Sequence, residues 1–287
     1  MTVRSAFEAL EDRFTSEELD YLKTVLNGPE PFVTPALIVA AAHEVLAYMP
    51  FEPARDVAAR RKMILVRADS RLRAHKGRPM GQGTSLARQG FHLEAVQTHA
   101  ESNPYSCFIA IEEQILSHTQ FDGTSSDRMK RAAFVSADAV TVLPYDPVRD
   151  RVLLIEQFRV APFVRGDHQP WLLEAIAGRV DAGESEETTA RREAIEEAGI
   201  TVTDLHLVSG YYPSPGAMTE YVTSYVGIAD LPDEVVGVGG LEDEHEDIAS
   251  MLLSYDDFIS LADQGALDTG PLMLSALWLS RHKHKLS

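Results

Sequence analysis

The chain has 287 residues, enough for one large or two modest domains, with the 45% hydrophobic and 24% charged residues of an ordinary globular protein. A net charge of −18 argues against a body that binds nucleic acid or acidic membranes, and the single cysteine, Cys107, excludes an internal disulfide and suits a reducing cytoplasm. The start, MTVRSAFEALEDRF, lacks the apolar core of a secretory signal, and the apolar run from Pro35 to Ala42 falls short of the ~20 residues of a membrane span.

In chain order, residues 1 to 50 read as helical. Ser16 or Glu17 opens SEELDYLKTVL, Asn27-Gly28-Pro29 breaks it, and Thr34 caps PALIVAAAHEVLAYM with Pro35 at the first helical position. A third amphipathic helix is predicted from Pro53 to Ile64. The following RADSRLRAHKGRPMGQGTSLARQGF reads as a loop or linker, with a module boundary near residue 95. Residues 52 to 90 carry ten basic against three acidic residues. With no aromatic between Phe51 and Phe91 to stack on bases, this arm is better read as internal charge complementarity than as an RNA-binding tail.

From Tyr105 the period shifts toward strands, with SCFIAIEEQILSH and the Phe121-Asp122-Gly123 turn forming a small antiparallel unit. Cys107 falls in that apolar strand and reads as core. DAVTVLPYDP and RVLLIEQFRV form a predicted hairpin, followed by strands at Trp171–Ala177, Leu205–Tyr212, Tyr221–Ile228 and Ile248–Leu253. Helices at Tyr255–Gln264 and Pro271–His284 close the chain. Strands and helices outside strict alternation argue for an α+β fold.

The chemistry concentrates in GRVDAGESEETTARREAIEEAGI, Gly178 to Ile200. Ser185 is a good N-cap, Glu186 and Glu187 suit the first turn, and Gly199 is a natural stop, so residues 186–198 are predicted helix. Glu193, Glu196 and Glu197 then share one helix face within about 6 Å. Like charges stacked in this way call for a cation, and an oxygen-rich site suits Mg²⁺ or Mn²⁺. The bland alternative is a solvated acidic face.

The spacing of Gly178, Glu184, Arg192, Glu193, Glu196, Glu197 and Gly199 resembles the signature of the Nudix hydrolases. PYDPVRDRVLLIEQFR, PWLLEAIAGRVDAGE, YYPSPGAMTE and GGLEDEHEDI, with Pro215 sixteen residues after Gly199, extend the likeness to the ADP-ribose pyrophosphatase branch over residues 105 to 287, and the whole chain resembles its tellurite-resistance-associated subgroup. The resemblance implies an α-β-α sandwich around a mixed sheet (136–287), a small β-rich unit (96–135) exchanged across a homodimer, and a helical leader (1–95). It implies Glu193, Glu196, Glu197, Glu246 and the Ala177 carbonyl as metal ligands, Glu244 as general base, and Arg192 and Glu196 in catalysis. By the same resemblance Glu184 holds the loop onto the helix, Arg159 binds phosphate, and Glu220 and Arg131 serve a pocket shared with the partner subunit. Ala194 departs from the family pattern, which prefers a bulky aliphatic there; Ile195, rotated about 100° around the helix, cannot substitute for it.

Val236-Gly237-Val238-Gly239-Gly240 reads as a mobile loop that closes Glu244 over the site. The substrate implied is ADP-ribose, cleaved to AMP and ribose 5-phosphate. A different sugar nucleotide such as GDP-mannose, and a sensing domain that binds ADP-ribose without cleaving it, are the competing readings. His282 and His284 read as a helix end rather than a zinc site, and Trp171 and Trp278 as packing residues.

Overall fold

The computed structural model describes residues 3–28, 33–77, 90–241 and 246–286, with side chains from residue 6 onward. The chain divides into two compact units, one formed by residues 1–137 with 214–219, the other by 138–213 with 220–287.

In the first unit, α1 (Val3–Glu8), α2 (Ser16–Leu26), α3 (Pro35–Tyr48), α4 (Ala54–Ala58) and α5 (Arg61–Lys76) precede a three-stranded antiparallel sheet of β1 (Val96–Ser106), β2 (Ala110–His118) and β3 (Met129–Val135). Thr15 caps α2 in a reciprocal box with Glu18, and the Thr34 hydroxyl accepts from Leu37 N–H at the start of α3. The helix expected over Pro53–Ile64 is instead broken at Ala59–Arg60, and α5 runs on through the charged stretch that read as a loop. A buried ion pair explains the continuation. Arg67, 1% exposed, donates from Nε to Glu44 Oε2 at 3.0 Å and from Nη2 to Glu44 Oε1 at 2.6 Å. Its Nη1 donates to the carbonyls of Cys107 and Phe108, fastening the helices to the β1–β2 turn. Cys107 therefore lies exposed in a turn, not in an apolar strand. The sheet also begins earlier than expected, at Val96. β1 tolerates Pro104 because it is an edge strand with an irregularity between Ser102 and Tyr105.

The second unit is built on a mixed sheet. Its strands are β4 (Ala139–Asp146), β5 (Arg151–Phe158), β6 (Trp171–Glu174), β7 (Ile176–Arg179), β8 (Val202–Tyr211), β9 (Val222–Ala229), β10 (Val238–Gly239) and β11 (Ile248–Ser254). The order is β10-β11-β5-β4-β9-β8, with β6 on β5 and β7 on β4; β4 and β9 are parallel, the other pairs antiparallel. The expected β4–β5 hairpin forms, but its strands pair only at Tyr145–Val152 and Asp146–Arg151 before splaying. Into that gap come β6 and β7, the single predicted strand at 171–177 broken at Ala175.

Helix α7 (Glu186–Ala198) covers one face of the sheet, with Ala190 and Ala194 packed among Val140, Leu153, Ile155, Ile176 and Ile248. On the other face α8 (Tyr255–Asp263) and α9 (Gly270–His282) pack Phe258, Leu272, Ala276 and Leu279 against Leu143, Val152, Leu154 and Val226. This is the expected α+β architecture with helices on both faces of a mixed sheet. Ala194 is fully buried and Ile195 is 57% exposed, so the smaller residue brings α7 close to the sheet. A short helix not expected from the sequence, α6 (Val160–Arg165), follows β5. Trp171 is exposed beside Phe158 rather than buried, whereas Trp278, on α9, is partly buried and packs against the core. His282 Nδ1 lies 2.8 Å from the Trp278 carbonyl at the helix end. Among the described residues no helix is long and apolar enough to cross a membrane.

Candidate active site

The site is built where α7 meets β7. Ser185 accepts from Thr188 N–H to start the helix, and Gly199, at φ 63°, ends it in the left-handed conformation that favours glycine. Between these ends the 3.6-residue repeat brings Glu193, Glu196 and Glu197 to the side facing β7 and Glu246. Glu197 is 2% exposed and its Oε2 accepts from Ala177 N–H at 3.1 Å. Glu193 lies so close over Gly178 that a Cβ there would stand 1.9 Å from its Oε1. Any other residue at 178 would occupy the space of that carboxylate.

Arg192 organises the cluster. Its Nε and Nη2 donate to Glu184, its Nη2 also to the Arg179 carbonyl, and its Nη1 to Glu193 Oε1 at 2.8 Å and Glu196 Oε2 at 2.7 Å. Burial alone would lower the Arg192 pKa, but the hydrogen bonds and charges of the glutamates outweigh it and raise the pKa instead. Burial likewise works to raise Glu184, and the Arg192 and Thr189 hydrogen bonds overcome it and hold Glu184 below the usual carboxylate range. Glu193 and Glu197 behave oppositely. Burial pushes Glu193 up to about 7, against Arg192 and with added repulsion from Glu196 and Glu246. It pushes Glu197 up to about 8, with the charges of Glu193 and Glu246 added and the Ala177 N–H opposing.

The remaining residues come from neighbouring strands. Arg159, in extended conformation just past β5, donates from Nε to Glu174 Oε2 of β6 at 2.7 Å. Glu246 Oε2 accepts from Leu241 N–H at 3.1 Å, and its charge acts on both Glu193 and Glu197. The glycine-rich stretch expected to be a mobile loop is instead pinned. Val238–Gly239 pairs with β11, a Cβ at Gly239 would stand 2.2 Å from the Glu197 carbonyl oxygen, and Gly240 N–H donates to the Glu196 carbonyl. Gly239 serves close approach to α7, and Gly240, at φ 98°, takes the left-handed conformation beside Glu246. Glu244 lies outside the described residues. Glu220 is half-buried ahead of β9, with its charge acting on Tyr211. Arg131 belongs to the first unit, on β3, its Nη1 bonded to the Lys130 carbonyl. Glu174 escaped the sequence reading, because only the pairing of β5 with β6 sets it opposite Ile155.

A hard divalent cation fits this donor set. The available atoms are carboxylate and carbonyl oxygens, and two of the carboxylates are held in a setting where ionisation is costly without a compensating charge. Among the described residues no three acidic, imidazole or thiol side chains already stand close enough to hold an ion, since Glu193 and Glu196 are turned to Arg192.

Comparison with known proteins places the chain in a family. The NUDIX domain profile matches residues 135–274. The ADP-ribose pyrophosphatase of Escherichia coli (strain K12) is 37% identical over 196 residues, covering 68% of this chain and 93% of that one. The GDP-mannose pyrophosphatase of Salmonella arizonae is 33% identical over 147 residues, covering 51% of this chain and 75% of its own. A crystal structure of an ADP compounds hydrolase, 20% identical, superposes with a TM-score of 0.50 over 67% of this chain and 98% of that one, a likeness of fold. With a relative matched over nearly its full length, and with α7 and its glutamates set on a mixed sheet, the chain belongs to the Nudix hydrolase family, in its ADP-ribose pyrophosphatase branch, a family that generally uses divalent metal ions.

Proposed function

We propose that the protein hydrolyses the diphosphate of ADP-ribose, or a closely related ADP-sugar, to AMP and ribose 5-phosphate. The observation that carries the chemistry is the buried Glu197 against Ala177 beside the part-buried Glu193 over Gly178, an arrangement with little structural benefit in the absence of a cation. The substrate is narrowed by the relatives: the ADP-ribose pyrophosphatase match is longer and of higher identity than the GDP-mannose pyrophosphatase match.

In this reading Glu193, Glu196, Glu197, Glu246 and the Ala177 carbonyl hold Mg²⁺, for which Mn²⁺ can substitute. The bound cation supplies neutralisation of the diphosphate and makes a water easier to deprotonate. Arg192, bonded to Glu184, Glu193 and Glu196, sets the carboxylates in place and does not reach substrate. Arg159 donates charge-assisted hydrogen bonds to the diphosphate. Glu244 takes the proton of the attacking water. Glu220 and Arg131 grip the sugar across a homodimer, in which residues 96–135 form the dimerisation unit, 136–287 the hydrolase domain and 1–95 a helical extension with a basic linker. The protein acts in the cytoplasm on a nucleoside diphosphate sugar, without nucleic acid or membrane as partner.

A product assay with ADP-ribose, GDP-mannose and NAD⁺, in Mg²⁺ and then in EDTA, tests the reading. AMP release from ADP-ribose that stops in EDTA is expected. Faster turnover of GDP-mannose would reassign the substrate, and tight ADP-ribose binding without turnover would make the protein a sensor.

A further inference from the structure

The acidic site contains two arginines, and each is tied to a glutamate outside the α7 trio. Arg192 has Glu184; Arg159 has Glu174. The second pair lies outside the seven-residue signature, and strand register shows what it does. Leu153 and Ile155 of β5 pack in the core under α7, so alternation puts Gln157 on that face, and the extended backbone at Arg159 continues the pattern. Glu174 is the direct cross-strand partner of Ile155 and shares the face. Arg159 and Glu174 therefore stand on the same side of the sheet as Glu197, and the charge of Arg159 already acts on Glu197.

The contact between them is one-sided. Arg159 gives only its Nε–H to Glu174, and neither Nη nitrogen has a hydrogen-bond partner among the described residues. Gln157, 7% exposed on the same face, also has an Nε2 without a partner among the described residues. Donor capacity that the protein leaves unused beside an acidic cluster suits an oxyanion ligand.

We propose that Glu174 is a positioning residue for Arg159. Its carboxylate takes the Nε edge of the guanidinium, presents both Nη nitrogens to a phosphate of the substrate, and keeps the cation off Glu197. The proposal rests on the hydrolytic reading above for its substrate. Without Glu174 the α7 carboxylates are the attractive alternative for Arg159, which would place a fixed positive charge where the metal must bind.

The test compares Glu174→Leu and Glu174→Ala, either of which suffices if the other fails to fold, with Glu174→Gln, which keeps an acceptor oxygen. Removing the acceptor is expected to raise KM for ADP-ribose by about tenfold with kcat within about threefold, and Glu174→Gln to recover most of the loss. Mn²⁺ binding to the substrate-free protein, followed by electron paramagnetic resonance, is expected to weaken by about three- to tenfold in Glu174→Leu, because Arg159 then competes for the carboxylates. Arg159→Ala alone raises KM and leaves Mn²⁺ binding intact, and adding Glu174→Leu to it changes neither quantity further. Unchanged KM and Mn²⁺ binding in both acceptor-free variants overturns the proposal, as does an equal further loss in the Arg159→Ala background. A parent protein that does not turn over ADP-ribose counts against the hydrolytic reading, and the Mn²⁺ measurements then decide on Glu174 by themselves.

Discussion

Each unit of the molecule sets an arginine against glutamate, one partner in the first and three in the second, and the two arrangements differ in how completely they are satisfied. In the first unit Arg67 meets Glu44 two-pronged, Ser106 Oγ donates to the same carboxylate at 2.6 Å, and Arg67 Nη1 is taken up by backbone carbonyls. Charge and hydrogen bonds close on themselves. In the second unit Arg192 is shared among Glu184, Glu193 and Glu196, while Glu197, almost fully buried, accepts a single backbone N–H among the described residues. Negative charge is in excess there. A closed network holds a fold together, whereas an open one is arranged for something that arrives later.

The sharpest break of this comparison is in the closed network. Arg67→Met leaves Glu44 buried without its counter-charge and is expected to destabilise the first unit by about 3–5 kcal/mol, whereas removing both charges in Arg67→Met with Glu44→Leu restores much of that. Hydrogen exchange across α3 and α5, with thermal unfolding, reads the effect. If the single variant unfolds no more easily than the parent, the pair is not what fastens the helices to the sheet.

The open network is expected to respond in the opposite currency. Glu197→Gln keeps the shape and removes a charge that burial disfavours, so the fold in EDTA keeps its melting temperature or gains. Turnover in Mg²⁺ is expected to fall by at least about 100-fold, with a higher metal concentration needed for half-maximal rate. Parent-like turnover would remove Glu197 from the metal site. Gly178→Ala is a milder version. The new methyl meets the flexible Glu193 side chain from its Cγ to its carboxylate, which swings aside, so a loss of about tenfold in rate with an unchanged fold is expected. Gly239→Ala meets the Glu197 backbone carbonyl instead, and the comparison of the two alanines separates a displaced ligand from a displaced helix.

The same contrast explains what could be read without coordinates. The α7 helix was legible because its signals are local: Ser185, the first-turn acids, Gly199, and three glutamates at helical spacing. The closed network was not, because Arg67 finds Glu44 across 23 residues, so a charged helix that buries one arginine looks like a linker. The β1 strand was hidden by exposure on most of its length, which erases alternation, and by Pro104. Arg159 was suggested by family likeness, but its partner Glu174 depends on strand register, which no single stretch of sequence encodes. The Gly237–Gly240 run shows the reverse error, since glycine signals flexibility and close packing alike, and at Gly239 the structure shows close packing against α7.

The smallest effect comes from a closed network within the second unit. Asp146 is 2% exposed, and its carboxylate accepts from the backbone N–H groups of Val148, Arg149 and Leu231 and from the Arg149 side chain, joining the β4–β5 turn to the segment after β9. Burial by itself would raise its pKa, but the hydrogen bonds from Arg149 and Leu231 outweigh it and hold Asp146 below the ordinary aspartate range. The folded state thus binds its proton less readily than the unfolded chain, where the value is about 3.9. The stability it contributes is complete above that value and is lost as pH falls through the folded one. Asp146→Asn is expected to cost about 1–2 kcal/mol at neutral pH, and the gap between parent and variant urea midpoints should close below about pH 4. A gap that stays constant from neutral to acid pH would mean that the amide fails by geometry and not by charge, and Asp146 would then join the turn as a shape rather than as an ion.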